Sequence, residues 1–158
     1  MIIRDLKEKV LERATYYPIV AILGPRQSGK TTLAQDAFNT YAYVSLENYE
    51  TRGFAQKDPQ GFLNSYANEQ GIIIDEFQHV PELLSYIQTR VDAEKKMRHF
   101  ILTGSQNFLM NMAISQSLAG RVSIITLLPL SLHELKKADL VPSSVNQLLV
   151  KGFYPPLY

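Results

Sequence analysis

The chain of 158 residues contains no cysteine, which excludes a disulfide framework and any thiolate metal site. That absence suits a cytoplasmic protein. Charge imbalance is nearly absent too: 16 lysines and arginines stand against 15 acids, a net charge of +1. No overall footprint for nonspecific nucleic-acid or membrane binding results, which leaves room only for a local basic patch. The nine tyrosines form no stripe interleaved with basic residues, so no stacking platform for nucleic acid is present. Long apolar runs are missing. The longest, residues 122–130, is too short and too interrupted to span a bilayer, and residues 1–10 are charged and amphipathic, unlike a signal peptide. There is no internal repeat or low-complexity segment, and His79, His99 and His133 show no metal-ligand spacing.

What is present is ordinary globular composition, 46% hydrophobic and 20% charged, at a length suited to one domain with one sizeable core. Within it one stretch stands out. An apolar run at 19–23 ends in Gly24-Pro25-Arg26-Gln27-Ser28-Gly29-Lys30-Thr31, followed by Thr32 and a helical pattern. This matches the phosphate loop G-x-x-x-x-G-K-[ST] in its strand–loop–helix setting. Successive backbone N–H groups and a helix N-terminus there offer several donors and a positive partial charge to a triphosphate. Gly24 and Gly29 allow the backbone angles and close approach that a side chain would block. Residues Gly24 to Thr32 are the expected nucleotide contacts, with Lys30 reaching the β- and γ-phosphates of ATP and the Thr31 hydroxyl on Mg²⁺.

Apolar spacing predicts an amphipathic helix over 4–15 and helices over 30–38 and 81–96, with strands over 41–46, 71–76, 98–103 and 121–127. Asp58 and Pro59 read as the N-cap and first position of a short helix inside an otherwise irregular insert, 47–69. That insert either lines the site or packs on the sheet, and packing is favoured. A helix over 108–118 is stopped by Gly120. Ser131 and Glu134 form a capping-box pattern, and 145–150 is a further short helical run. Five strands alternating with helices predict a parallel α/β sheet covered on both faces. Ligands bind such sheets at the carboxyl ends of the strands, where Gly24, Asp75, Glu76 and Ser105 all fall.

The isoleucine run 72–74 ends in Asp75-Glu76, a Walker B arrangement. Asp75 would hold Mg²⁺, mostly through water, and Glu76 would act as general base on the attacking water. Thr103, Ser105 and Gln106 compete for a sensor role near the γ-phosphate, against the simpler reading of a turn that caps the next helix. Arg121 reads equally as an arginine finger toward a neighbouring subunit or as a surface ion-pair residue. Arg26 either touches phosphate or points to solvent.

With residues 24–33, 74–84 (Ile-Asp-Glu-Phe-Gln-His-Val-Pro-Glu-Leu-Leu), 102–106 (Leu-Thr-Gly-Ser-Gln) and 117–121 (Ser-Leu-Ala-Gly-Arg) in order, the chain resembles the AAA-like core of prokaryotic ATPases that carry a C-terminal domain of unknown function, relatives of the STAND-type ATPases. The resemblance covers essentially the whole chain. It implies a P-loop NTPase three-layer sandwich, a five-stranded parallel sheet of order 5-1-4-3-2, and binding and hydrolysis of ATP with Mg²⁺. Lys30 and Thr31 match the Walker A residues and Asp75 and Glu76 the Walker B pair. Ser105 matches the sensor position, and Arg121 the arginine after the helix. It also implies a core over 1–128 and a helical linker over 129–158 leading into a C-terminal region. Two departures stand out: Phe153 where the family has a second glycine, and a chain end where that region would begin. The apolar tail 154–158 is expected either to be followed by further chain or to pack back on the domain.

The leading expectation is an ATPase core that couples nucleotide state to conformational change in an attached effector domain or a homo-oligomer. A nucleotide-binding switch or a fragment without turnover is the alternative. A small P-loop kinase is disfavoured, because Glu76 beside Asp75 suits water activation and no second substrate pocket is readable.

Overall fold

A computed structural model describes residues 2–97, 99–105, 114 and 116–158. Its centre is a five-stranded sheet: β1 (Ile19–Gly24), β2 (Ala42–Ser45), β3 (Ile72–Asp75), β4 (Phe100–Ser105) and β5 (Val122–Thr126). The order is β2-β3-β4-β1-β5, the expected 5-1-4-3-2, and every pairing is parallel. The burial pattern explains the order. β1 and β3 are buried at every position and β4 at all but its last, whereas β2 and β5 are interrupted by exposed residues and form the edges.

Alternation along each strand divides the core in two. Ile19, Ala21, Leu23, Ile72, Ile74, Phe100 and Leu102 face one layer; Val20, Ile22, Ile73, Ile101 and Ile125 face the other. The second face is covered by α1 (Leu6–Tyr16) and α2 (Lys30–Ala37), through Val10, Ala14, Leu33 and Ala34. The first is covered by α3 (Tyr49–Lys57), α4 (Pro59–Ser65) and α5 (Leu83–Glu94), through Ala55, Phe62, Leu63, Leu84 and Ile87. The result is the three-layer sandwich expected.

Two local differences from the sequence reading have physical causes. α3 lies in the segment read as irregular. Its apolar content is low and Gly53 weakens its propensity, but Asn48 caps it by accepting from the N–H groups of Glu50 (2.9 Å) and Thr51 (3.0 Å). The insert packs on the sheet, and Asp58 accepts from Gly61 N–H as its N-cap role requires. The helix expected from Pro81 begins at Leu83, because a 3₁₀ turn, Phe77–His79, and tight bonds from Leu83 N to Val80 O and Leu84 N to Pro81 O intervene. The helix expected over 108–118 lies mostly outside the described residues. Among the described residues Ile114 and Leu118 lie in the core, Leu118 N donates to Ile114 O, and Gly120 follows at φ +75°.

Past β5, α6 (Leu132–Lys137) carries the full capping box: Ser131 Oγ accepts from Glu134 N, and Glu134 accepts from Ser131 N. α7 (Val145–Lys151) follows. The chain returns so that Leu130 N–H donates to Phe153 O at 2.8 Å. Arg4, just before α1, is turned inward. Its guanidinium pairs with Glu134 at 2.9 Å and also donates to Ser28 O (2.6 Å) and Leu128 O (2.7 Å). Burial pushes the Glu134 carboxyl up, but donation from Ser131 N, Arg4 and Asp5 N prevails and holds it below the usual range. Removing one partner of a buried pair leaves the other charge uncompensated, at about 3–5 kcal/mol. Urea unfolding of Glu134→Ala should show a loss of that size. A loss below about 1 kcal/mol would mean the pair behaves as a surface one.

Candidate functional site

The carboxyl edge of the sheet gathers the site. The strand register sets Gly24 beside Ser105, and Ser45 beside Asp75. The loop leaves β1 at Gly24 and enters α2 at Lys30. Its two glycines serve different needs. A Cβ on Gly24 would lie 2.1 Å from Leu127 O, so Gly24 permits the close approach of the chain leaving β5. Gly29 has φ +89° and is the N-cap of α2, a conformation that disfavours any side chain. Gln27 also sits in the left-handed region, at φ +61°. No side chain caps α2, so the first-turn N–H groups remain available to a ligand. Arg26, Gln27 and Thr32 are exposed, Pro25 and Thr31 half-buried, and Ser28 buried with its hydroxyl lacking a hydrogen-bond partner among the described residues.

Lys30 is 5% exposed and its Nζ donates to Pro25 O at 2.9 Å, closing the loop on itself. Burial pushes its ammonium below the usual range, while the nearby Glu76 and Asp75 oppose that shift. Asp75, also 5% exposed, is the hub of the site. Its Oδ1 accepts from the Thr31 hydroxyl at 2.8 Å and from the Thr103 hydroxyl, and its Oδ2 accepts from Tyr43 OH at 3.0 Å. A hydroxyl from α2 and a carboxylate from β3 thus converge. Oxygen donors few in number are what Mg²⁺ takes when it keeps most of its water. Among the described residues no three His, Cys, Asp or Glu side chains gather to form an all-protein cage.

Glu76 follows β3 in the left-handed region, φ +56°. Its Oε2 accepts from Gln78 Nε2, and Gln78 Oε1 accepts from Ser105 N at 3.3 Å. The Ser105 hydroxyl is buried without a partner among the described residues, and Gln106 lies outside them. Beside the loop a cavity of about 490 Å³ is lined by Ile2, Arg4, Gly29, Thr32, Leu130 and Tyr158, among others.

Lys30, Thr31, Asp75, Glu76 and Ser105 therefore share one edge. Arg121 does not. It immediately precedes β5 at the amino edge, where its backbone O accepts from Ile19 N, a strand length or roughly 17 Å from the loop. There it makes a bidentate pair with Asp92, at 2.6 and 2.9 Å. Sequence reasoning passed over Tyr43, Gln78 and Arg4. Tyr43 and Arg4 carry no motif, and only the sheet register and the return of the chain bring them in. Gln78 stood in the quoted 74–84 block without a role.

The model of the AAA domain matches residues 16–136, well over half of the chain. The chain belongs to the AAA domain family. Two uncharacterised proteins, from Mycobacterium bovis and Mycobacterium tuberculosis, are each 29% identical over 156 residues, or 98% of this chain. The chain spans only about a third (34%) of their length. Among solved structures, a Walker-type ATPase of Pyrococcus abyssi aligns at TM-score 0.65 and 17% identity, over 98% of this chain and 65% of that one. A STAND protein with a tetratricopeptide-repeat sensor from Pyrococcus horikoshii aligns at 0.57 and 18%, over 98% of this chain and 28% of that one. The Thermotoga maritima RuvB branch-migration motor aligns at 0.51 and 22%, over 83% and 46%. At these identities the likeness is one of fold. Family and fold together support a nucleotide-binding AAA domain of ATPase type. No described helix is long and apolar enough to cross a membrane.

The AAA site makes one electrostatic prediction. Burial first, then the charge and hydrogen bond of Asp75, pushes the Tyr43 phenol up to about 12. The raised value keeps Tyr43 neutral well past the ordinary tyrosine range, so its contribution to stability fades only as pH climbs from that range through about 12. Isotope-labelled tyrosine NMR of the nucleotide-free protein, with the Tyr43 ring assigned through Tyr43→Phe, should show that ring titrating late. Asp75→Asn should lower its midpoint only part-way, because burial remains. A Tyr43 ring titrating in the ordinary tyrosine range would contradict this geometry.

Proposed function

We propose that this chain is the ATPase core of a larger AAA machine, binding ATP with Mg²⁺ and converting hydrolysis into movement of a C-terminal effector module. The observation that carries the reading is the convergence of the Thr31 hydroxyl on the Asp75 carboxylate, 2.8 Å apart, beneath an uncapped helix N-terminus. In this reading the triphosphate lies on the loop amides of residues 24–32, and Lys30 exchanges Pro25 O for the β- and γ-phosphates. Thr31 and Asp75 hold Mg²⁺, which neutralises charge developing on the phosphates. Glu76 takes a proton from water as its oxygen attacks the γ-phosphorus. The bond to the β–γ bridging oxygen breaks, and ADP and phosphate leave. Ser105 reads the γ-phosphate from the end of β4. The base and ribose occupy the cavity beside Gly29, against Ile2, Leu130 and Tyr158.

Arg121 acts, in this reading, on a neighbouring copy. From the amino edge it reaches only another subunit's phosphates, after exchanging Asp92 for them. Residues 1–128 form the core and 129–158 the link to the effector, joined at the Arg4–Glu134 pair. A second reading draws on the same position of Arg121: a single copy lacks a γ-phosphate cation from that source and acts as a nucleotide switch with little turnover.

Lys30→Ala should abolish ATP binding. Glu76→Gln should keep binding and lose hydrolysis by about 10²–10⁴-fold, the worth of a general base. Titration with labelled ATP and phosphate release measure the two effects. Undiminished release from Glu76→Gln would remove the base assignment. For the wild type, the rate per chain should rise with protein concentration, and Arg121→Ala should remove about 10³-fold of the stimulated rate. A rate independent of concentration and untouched by Arg121→Ala would leave that arginine as a surface ion pair.

A further inference from the structure

We propose that Gln78 is a positioning residue that ties the Glu76 carboxylate to the carboxyl end of β4. The inference rests on the reading of Glu76 as the base that activates water. Gln78 lies in the 3₁₀ turn Phe77–His79, which is locked by the buried Phe77 ring. One end of its amide donates to Glu76 Oε2, and the other accepts from Ser105 N at 3.3 Å. The chemistry of both partners dictates an amide. An ionised carboxylate only accepts and a backbone N–H only donates, so the bridge needs one donor and one acceptor on the same short fork. A glutamate there lacks the donor when ionised, a leucine lacks both, and an asparagine lacks the reach.

A second observation supports the bridge independently. Gly104 has no left-handed backbone angle, yet a Cβ on it would lie 2.4 Å from Gln78 Oε1 and 3.0–3.1 Å from the Phe77 ring. Glycine there makes room for this amide and the ring beneath it. Glu76, in the left-handed region, immediately precedes the 3₁₀ turn, and its carboxylate meets Gln78 within that turn.

Two consequences follow for the site. With Oε2 engaged by Gln78, Glu76 presents its other oxygen to water in one orientation. Because the same amide accepts from Ser105 N, a shift of the β4 end alters the orientation of the base, and the sensor residue is linked to the general base through an amide that does not itself touch nucleotide.

The test uses the full chain with Gln78→Leu, the near-isosteric Gln78→Glu, and Gly104→Ala, which displaces the amide by its methyl. Phosphate release should fall by about tenfold to a hundredfold in all three. The dissociation constant for a fluorescent ATP analogue with Mg²⁺ should stay within about twofold, and the melting temperature should not move enough to signal unfolding. In nucleotide-free protein, which needs no turnover, the Ser105 amide should exchange with solvent about tenfold faster in Gln78→Leu than in wild type. Unchanged Ser105 exchange, or unchanged turnover in Gln78→Glu, overturns the proposal. So does a loss of turnover explained wholly by weaker ATP binding. If Glu76→Gln hydrolyses ATP as well as wild type, the base assignment fails instead. If Glu76→Gln is inactive while the Gln78 variants are not, only the Gln78 assignment fails.

Discussion

A buried carboxylate must find partners, and the whole site is arranged around the one at Asp75. At 5% exposure it takes hydroxyls from three other elements: Thr31 of α2, Thr103 of β4 and Tyr43 of β2. Leaving such a group unpaired would cost several kcal/mol, and these contacts bring one hydroxyl of α2 and two from neighbouring strands onto the same carboxylate. The cost of assembling these donors is met by the isoleucines of β3, buried on both faces behind Asp75. Apolar burial thus fixes where the charge sits, and the charge fixes what can bind.

The two edges of a parallel sheet differ in kind, and the chain uses both. The carboxyl edge carries Gly24, Asp75 and Ser105, with Lys30 reaching in from α2. The amino edge carries Arg121 and its pair with Asp92, facing away from the nucleotide loop. Arg4 joins a third region to the first, since one guanidinium touches the loop carbonyl of Ser28, the strand exit at Leu128 and the cap of α6 at Glu134. The loop and residues 129–158 are therefore joined through the Arg4 side chain.

Much of this was legible in the residues. The phosphate loop, the acids ending the third strand and the Asp58 and Ser131 caps depend on local spacing or on motifs, the sheet order followed from the family resemblance, and the structure has them where expected. What was not legible depends on chain reversal. Tyr43 meets Asp75 only because β2 pairs with β3, and Arg4 meets Glu134 across 130 positions of sequence. α3 was missed because a polar cap at Asn48, not an apolar face, starts it. Gly24 showed the right residue for a partly different reason: its missing side chain makes room for Leu127 O, whereas Gly29 supplies the unusual backbone angle.

In the proposed function the Lys30–Pro25 and Thr31–Asp75 contacts are the resting positions of groups whose work is on a triphosphate and its metal. A crystal structure of the chain with a nonhydrolysable ATP analogue and Mg²⁺ tests it most directly. The account predicts Lys30 Nζ withdrawn from Pro25 O and bonded to the β- and γ-phosphates, with the Thr31 hydroxyl turned from Asp75 to the metal. Lys30 still closed on Pro25 O, with the analogue bound elsewhere or the metal away from Thr31 and Asp75, would contradict it.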